Sequence, residues 1–359
     1  MMKLIPKTMR AFVLTGHGDM DKLVYHTDWK TPNPGPFEVL IKVHACGLNN
    51  TDVNTRTGWY SKAVEDGTTG KASSADEEDA GWGGTPLTFP RIQGADVCGT
   101  VVATGANANQ ELLGKRVLID TWMRDWDNPH NKYKTGYFGS ECDGGFADYV
   151  AIDHRQVHVV QSDMSHAELA TFATSWMTAE GMLNRVNVTK GDRILITGAS
   201  GGVGSALISL ANLRGAITIA MTSPDKYQQV ALLNPSQIIG HDPKELKGEK
   251  VDVVADVVAG SIFKDLISQL ERGGRYVASG AIAGPIVDLD IRTLYLHDLT
   301  LVGSTVVALG TFSDLVSYIE KGDIKTALAA SYPLSDLHAA QQAFIDKKHV
   351  GNIVVTMDD

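Results

Sequence analysis

The chain has 359 residues, 43% of them apolar and 21% charged, with a net charge of −10. It is long enough for two domains with a large core, and its acidic balance argues against nucleic acid or an anionic membrane as the main partner. No run approaches a membrane span, and the opening residues lack a signal-like apolar stretch. Cys46, Cys98 and Cys142 are too few for a disulfide framework, and none sits in a C-x-x-C pair, so a cytoplasmic protein with reduced thiols is expected.

The first 155 residues are rich in strand signals: Arg10 to Thr15, Val39 to Ala45, Gly99 to Thr104, Arg116 to Asp120 and Phe146 to Ile152. Turn residues separate these runs, as in Pro32-Asn33-Pro34-Gly35-Pro36, and together they predict a compact, mostly β domain. Two polar stretches interrupt it. Residues 61 to 89 are acidic, Gly/Ser-rich and aperiodic, and read as a mobile surface loop that rims or covers a cleft. Residues 121 to 140 are aromatic and polar, and read as an ordered excursion.

From about Asp163 the pattern changes. Ser165 to Arg185 reads as a helix, with Ser165 and Glu168 spaced as a capping box. Strands are expected at Arg193 to Thr197, Ala216 to Met221, Gln237 to Gly240, Val251 to Val258, Arg275 to Ser279 and Leu299 to Ser304, with helices between several of them. Such alternation means a doubly wound parallel sheet of the Rossmann kind. Helices at about Phe312 to Lys321 and Leu334 to Asp346 precede a last strand, Gly351 to Thr356, that is expected to return to the β domain.

Inside this block, the run after Arg193 to Thr197 reads Gly198, Ala199, Ser200, Gly201, Gly202, Val203, Gly204. Val203, Ala206, Leu207 and Leu210 then recur at i, i+3, i+4 and i+7, which opens a one-faced helix. A strand, a tight A-x-G-x-x-G turn and a helix make a dinucleotide site. Backbone N–H groups and the positive helix end meet a pyrophosphate there, and a side chain would block the approach. A site for NAD usually has Asp or Glu at the end of the next strand to bind the ribose. Here that strand ends Ile219-Ala220-Met221-Thr222-Ser223, without a carboxylate, and Asp225 reads as a first-turn helix residue. Thr222 and Ser223 can donate to a 2′-phosphate and Lys226 adds charge, so the cofactor is expected to be NADP(H).

The pattern resembles the medium-chain dehydrogenase/reductase superfamily over nearly the whole chain. The resemblance rests on Glu38-Val39-Leu40 to Cys46-Gly47-Leu48-Asn49, Gly94 to Gly99, Gly144-Gly145-Phe146-Ala147, Ala199 to Gly204, Val251 to Asp256, Gly273-Gly274-Arg275 and Gly351-Asn352-Ile353-Val354. It implies a GroES-like catalytic domain of residues 1–158 and 309–359, a Rossmann domain of residues 159–308, a cleft between them, and a homodimer or homotetramer. The zinc alcohol dehydrogenases of this superfamily hold a metal with a Cys in a G-x-C-x-S/T-D segment and a His in a G-H-E segment. Those positions here are Asn49 and Ala95, which cannot replace a thiolate and an imidazole. A rearranged set of Cys46, Asp96 and Cys98 is the alternative, although both thiols read as core residues.

Gly47-x-Asn49 followed by Asp52 resembles instead the zinc-free quinone oxidoreductase and enoyl reductase branch. That resemblance implies hydride transfer from NADPH to a quinone or an α,β-unsaturated carbonyl compound. A Tyr often stands two residues after the Asp in that branch, where this chain has Asn54. Tyr60 or Thr51 is the remaining candidate for stabilising an oxyanion or relaying a proton, and Asn49 for positioning cofactor or substrate. Thr178, Ser279 and Gly280 fall where the nicotinamide half passes, and Asn352 stands where relatives often have a basic residue. Two other readings remain open: a non-catalytic NADPH-binding or redox-sensing protein, and a zinc-type alcohol dehydrogenase with atypical ligands.

Overall fold

The structure is a computed structural model that describes residues 4–72 and 75–357. In chain order it begins with β1 (Thr8–Leu14), β2 (Leu23–Lys30), β3 (Glu38–Gly47), α1 (Asn50–Thr57), β4 (Arg91–Ile92), β5 (Asp96–Thr104) and β6 (Arg116–Ile119). Then follow β7 (Trp122–Met123), β8 (Gly136–Tyr137), β9 (Tyr149–Asp153), β10 (Val157–Val159), α2 (His166–Leu169) and α3 (Ala173–Arg185). The second half holds β11 (Arg193–Ile196), α4 (Gly202–Leu213), β12 (Ile217–Met221), α5 (Tyr227–Ala231), β13 (Gln237–Ile239), β14 (Val251–Asp256) and α6 (Phe263–Ser268). It closes with β15 (Leu270–Ala278), α7 (Ile291–Leu296), β16 (Thr300–Gly303), α8 (Thr311–Lys321), β17 (Leu328–Pro333), α9 (Leu337–Ile345) and β18 (Asn352–Thr356).

Two large sheets organise these elements. The GroES-like sheet runs β10-β6-β5-β3-β18-β17, with β9 also on β3. The last strand does return: Val354, Val355 and Thr356 of β18 lie antiparallel to Gly47, Cys46 and Ala45 of β3. The Rossmann sheet runs β13-β12-β11-β14-β15-β16, and every pair in it is parallel. That order reverses between β11 and β14, so the crevice at their C-terminal ends is the place for a ligand. Apolar residues of α3, α4 and α8 pack on one face of this sheet, and those of α6 on the other. Among the described residues, no helix is long and apolar enough to cross a membrane.

Strands β2 and β17 were not expected, and three further local outcomes differ in ways that shape the site. The helix expected over Ser165 to Arg185 is two helices. Ser165 and Glu168 do form the capping box, but the Thr171 hydroxyl donates to the Glu168 carbonyl at 2.7 Å and the chain turns before α3. The break frees the Thr174 N–H from a helical partner, and it donates instead to the Asp96 carboxylate at 2.8 Å. A carboxylate at a helix N-terminus is favourably placed against the helix dipole.

The segment expected as a mobile loop is docked. Thr68 N–H donates to the Ile282 carbonyl at 2.9 Å, which ties it to the loop after β15 of the opposite sheet. Arg56 of α1 donates to the Gly70 carbonyl at 3.1 Å, and Trp82 packs on Trp122 with ring centres 5.0 Å apart. The segment has no period because it is held by single polar contacts and one indole, not by a repeating face. The third difference is α1, an addition: Asn50–Thr57 has no apolar stripe, and stands on its caps. Asn49 N–H donates to Asp52 Oδ2 at 2.7 Å, and Gly58 ends the helix at φ +72°.

Candidate active site

The cleft between the two sheets is built around the start of α3. Asn49 caps α1 and is buried, and Ser175 Oγ donates to its Oδ1 at 3.4 Å. Asn352, first residue of β18, donates from Nδ2 to Ser175 Oγ at 3.1 Å. Thus the expected Asn49 and Asn352 meet through Ser175, which the sequence reading missed. Next to Ser175 in the first turn of α3, the Thr174 hydroxyl bonds Asp96 Oδ1 and lies 2.6 Å from Tyr137 Oη. Thr51 lies close to that phenol, yet its hydroxyl completes no hydrogen bond. Tyr60 is half-buried, with its phenol toward the Asn54 side chain and the Asp52 carboxylate.

This cluster is unusually rich in buried acid. Burial raises the Asp52 carboxyl to about 7 against the Asn49 N–H bond, with the Asp96 charge adding to it. Burial raises Asp96 to about 6, opposed by its bonds to Thr174 and Asn49. Burial also pushes the phenols of Tyr60 and Tyr137 up.

The glycine turn sits beside this cluster and fits a dinucleotide. A Cβ on Gly202 would lie 2.5 Å from Ser175 Oγ and 2.6 Å from Asn352 Nδ2, and one on Gly204 would lie 2.2 Å from the Gly198 carbonyl. Gly198 itself turns at φ +56°. The turn is pinned across the cleft, because Gly351 N–H donates to the Ser200 carbonyl at 2.8 Å. Gly201 caps α4, whose first N–H groups have no helical partner and face the crevice end of β11. Ala199 is fully buried behind the turn, and Val203 begins the helix.

At the end of β12, Thr222 is buried and the Ser223 hydroxyl turns to Asp225, which lies in the first turn of the next helical segment as expected. Lys226 points back to the glycine turn. Its Nζ reaches Ser200 Oγ at 3.4 Å and the Lys347 carbonyl. Lys347, which sequence reasoning did not single out, contributes a second ammonium. Its Nζ donates to Asn50 Oδ1 at 2.9 Å and stands 3.7 Å over the Phe344 ring. Among the described residues, no carboxylate forms an ion pair with either lysine. Burial and the Lys226 charge bring Lys347 down to about 7, and burial with both lysines brings His349 down to about 4.

The remaining predicted residues frame the crevice. Thr178 is one turn beyond Thr174 on α3 and half-buried. Ser279 N–H donates to the Asp256 carbonyl at 3.0 Å, and Gly280 follows at φ +136° against Val257. Asp256 holds the facing loop, accepting from Thr197 Oγ1, Tyr276 Oη and the Val258 N–H.

The donor chemistry does not fit zinc. Asn49 and Ala95 present an amide and a methyl group. Burial pushes the Cys46 thiol far up and the Cys98 thiol to about 12, as expected of thiols packed in the apolar core. Among the described residues, no three His, Cys, Asp or Glu side chains gather as a metal site.

Comparison with known proteins finds dehydrogenases and reductases of the same two-domain kind. Residues 35–162 match the alcohol dehydrogenase GroES-like domain family, and residues 202–321 the zinc-binding dehydrogenase family. The chain is 26% identical to human quinone oxidoreductase over 94% of each chain. It is 25% identical to acryloyl-coenzyme A reductase of Sulfurisphaera tokodaii, over 97% of this chain and 99% of that one. A crystal structure from Sinorhizobium meliloti 1021, described as an alcohol dehydrogenase, superposes with a TM-score of 0.89 at 41% identity, covering 99% of this chain and 98% of that one.

Proposed function

The chain belongs to the medium-chain dehydrogenase/reductase superfamily, in its quinone oxidoreductase-like branch, and from that membership we propose an NADP(H)-dependent, metal-free reductase of quinones or α,β-unsaturated carbonyl compounds. The family's oxidoreductase chemistry with a nicotinamide cofactor is common ground. What carries the finer reading is the donor set at the start of α3, where hydroxyls, amides and carboxyls stand in place of thiolates and imidazoles.

The turn Ala199, Ser200, Gly201, Gly202, Val203 and Gly204 holds the pyrophosphate through backbone N–H groups. Thr222, Ser223 and Lys226 hold the 2′-phosphate, with Lys347 completing the positive side. Two facing ammonium groups without a carboxylate partner favour a dianion there, and a ribose carboxylate is lacking at the end of β12. Thr178, Ser279 and Gly280 line the nicotinamide half. When bound, the cofactor supplies a hydride. Asn49 and Asn352, linked through Ser175, hold the position of the reacting groups. Thr51 and Tyr60 are hydroxyl donors on the same side as Asp52, able to stabilise charge on a substrate oxygen.

The test is NADPH oxidation against a panel of quinones and enals, with NADH as the comparison. Turnover above a cofactor-only control, with NADPH preferred, is the expected result. Tight NADPH binding with no turnover on any substrate would establish the non-catalytic, redox-sensing reading instead. Stoichiometric zinc in purified protein would overturn the metal-free assignment.

A further inference from the structure

Thr51 Oγ1 and Asn352 Oδ1 are buried without a hydrogen-bond partner, and Asn49 Nδ2 and Asp96 Oδ2 have none beyond each other. All four belong to one cluster around the first turn of α3. Buried polar groups left short of partners are costly, so such a cluster marks a place that a ligand completes. Tyr137 Oη stands in this place. Its backbone N–H is fixed by Glu141 Oε2 at 2.6 Å, and its ring is set 5.3 Å from Trp122 and 6.0 Å from Trp82. Behind the phenol, Thr174 Oγ1 at 2.6 Å connects to Asp96 Oδ1, which also accepts the Thr174 N–H at 2.8 Å.

We propose that Tyr137 is the acid that protonates the substrate oxygen, with Thr174 and Asp96 as the positioning pair that aims and recharges its hydroxyl. The proposal rests on the reductase reading above, and supplies the phenol that Asn54 cannot. Tyr60 is the weaker candidate because its phenol is already turned to Asn54.

The direction of the chain follows from counting protons. Thr174 has one hydroxyl proton. With Asp96 ionised, that proton goes to Asp96 and the Tyr137 hydroxyl must donate to Thr174, away from the cleft. With Asp96 protonated, Asp96 donates to Thr174, Thr174 donates to Tyr137, and the phenol hydrogen is free for the substrate. Hydride from the reduced nicotinamide adds to the carbon conjugated to the carbonyl, and the π pair moves to oxygen. The Tyr137 O–H bond breaks and its proton passes to that oxygen. The Thr174 proton moves to the phenolate, and the Asp96 proton to Thr174. Asp96 is left as a carboxylate and regains its proton from water. The groups facing Asp96 are Asp52 of α1, Cys46 of β3, Tyr137 of β8, the Asn49 amide and the start of α3, and among the described residues no Lys, Arg or His forms an ion pair with it. Burial places its carboxyl at about 6, within reach of protonation near neutral pH.

The test compares wild type, Tyr137→Phe, Asp96→Asn, Thr174→Val and Thr174→Ser on a quinone and enal panel, with cofactor Kd from nicotinamide fluorescence and circular dichroism of each variant. Tyr137→Phe is expected to lower kcat by at least about 100-fold. Its cofactor Kd should stay within about twofold and its dichroism unchanged. In wild type, kcat falls as pH rises above about 6, and Asp96→Asn removes that limb. Thr174→Ser recovers at least about tenfold of what Thr174→Val loses. A Tyr137→Phe protein that binds cofactor normally and keeps kcat within about threefold overturns the proposal while leaving the reductase reading intact. A wild type that binds NADPH and turns over nothing overturns both.

Discussion

Lys347 brings its charge to a place where Asn50 and the Phe344 face meet it, opposite a second ammonium. A phosphate dianion there favours the protonated lysine, so binding should take up a proton. Since burial and Lys226 bring the free side chain to about 7, NADPH affinity is greatest below that pH and declines above it. Lys347→Met should weaken NADPH by about 10- to 100-fold at pH 6.5, the worth of one charged hydrogen bond. NADH should be unaffected and the pH dependence lost, as fluorescence titrations at pH 6.5 and 8.5 will read. Asp52 makes the opposite statement about stability. Its folded carboxyl is raised to about 7 from 3.8, so between those values the folded protein binds the extra proton and stability falls as pH rises. Asp52→Asn keeps an acceptor for the Asn49 N–H and removes that slope, with a gain on the order of 1–3 kcal/mol at pH 8 in urea unfolding. Of these residues Lys226 was legible in the sequence because it follows the β12 end by a fixed few positions, and Asp52 because it follows Gly47-x-Asn49. Lys347, Thr174 and Tyr137 reach the site from segments scores of residues apart, and nothing in their own surroundings points to one another.

Arg56 shows how an element can matter through a single side chain. It lies at the end of α1, fully buried, and donates to the Gly18 carbonyl at 2.8 Å, the Gly70 carbonyl at 3.1 Å and Gln341 Oε1 of α9 at 3.2 Å. Those three acceptors belong to the β1–β2 turn, the docked 61–89 segment and a C-terminal helix, so one guanidinium joins three parts of the chain. Arg56→Met fills similar volume and orphans all three, which should cost about 3–5 kcal/mol. The same change should raise amide exchange across residues 66–72 and leave β11 to β14 unchanged, since their ladders share no contact with it. The strands were legible to within a few residues wherever an apolar run met a turn residue, as at Arg116 and Gln237. By contrast, α1 was hidden because NTDVNTRT carries weak helix formers and no stripe. Its stability comes from Asn49, Asp52 and Gly58 at its ends and from Arg56 inside.

At the scale of the whole molecule, the proposed cofactor crevice draws on both ends of one chain. Gly351 of the returning segment meets Ser200 of the glycine turn, and a Cβ on Gly351 would lie 1.9 Å from the Ala327 carbonyl. That closure was half legible: the last strand's isolation from the α/β block implied its return to the β domain, but not that its first residues would touch the turn. The other edge of the Rossmann sheet is left open. Among the described residues β16 pairs with β15 alone, and just before it in the chain Ile286, Ile291, Tyr295 and Leu296 are more than half exposed, at 68%, 58%, 59% and 53%. A bare strand edge flanked by a large apolar patch is a liability in a lone chain and a ready surface for a second copy. Two copies related by a two-fold axis would pair β16 with β16 and cover both patches at once. The wild type is therefore expected to be at least a dimer by light scattering. Replacing Ile291 and Leu296 with Lys places four like charges across that axis and should yield a monomer. Because Ser200, Lys226, Lys347 and Gly351 all lie in one chain, away from β16, this monomer should keep its cofactor Kd within about threefold. A wild type that is monomeric would refute the pairing. A monomeric variant that has lost its cofactor affinity would show instead that the crevice depends on the second copy.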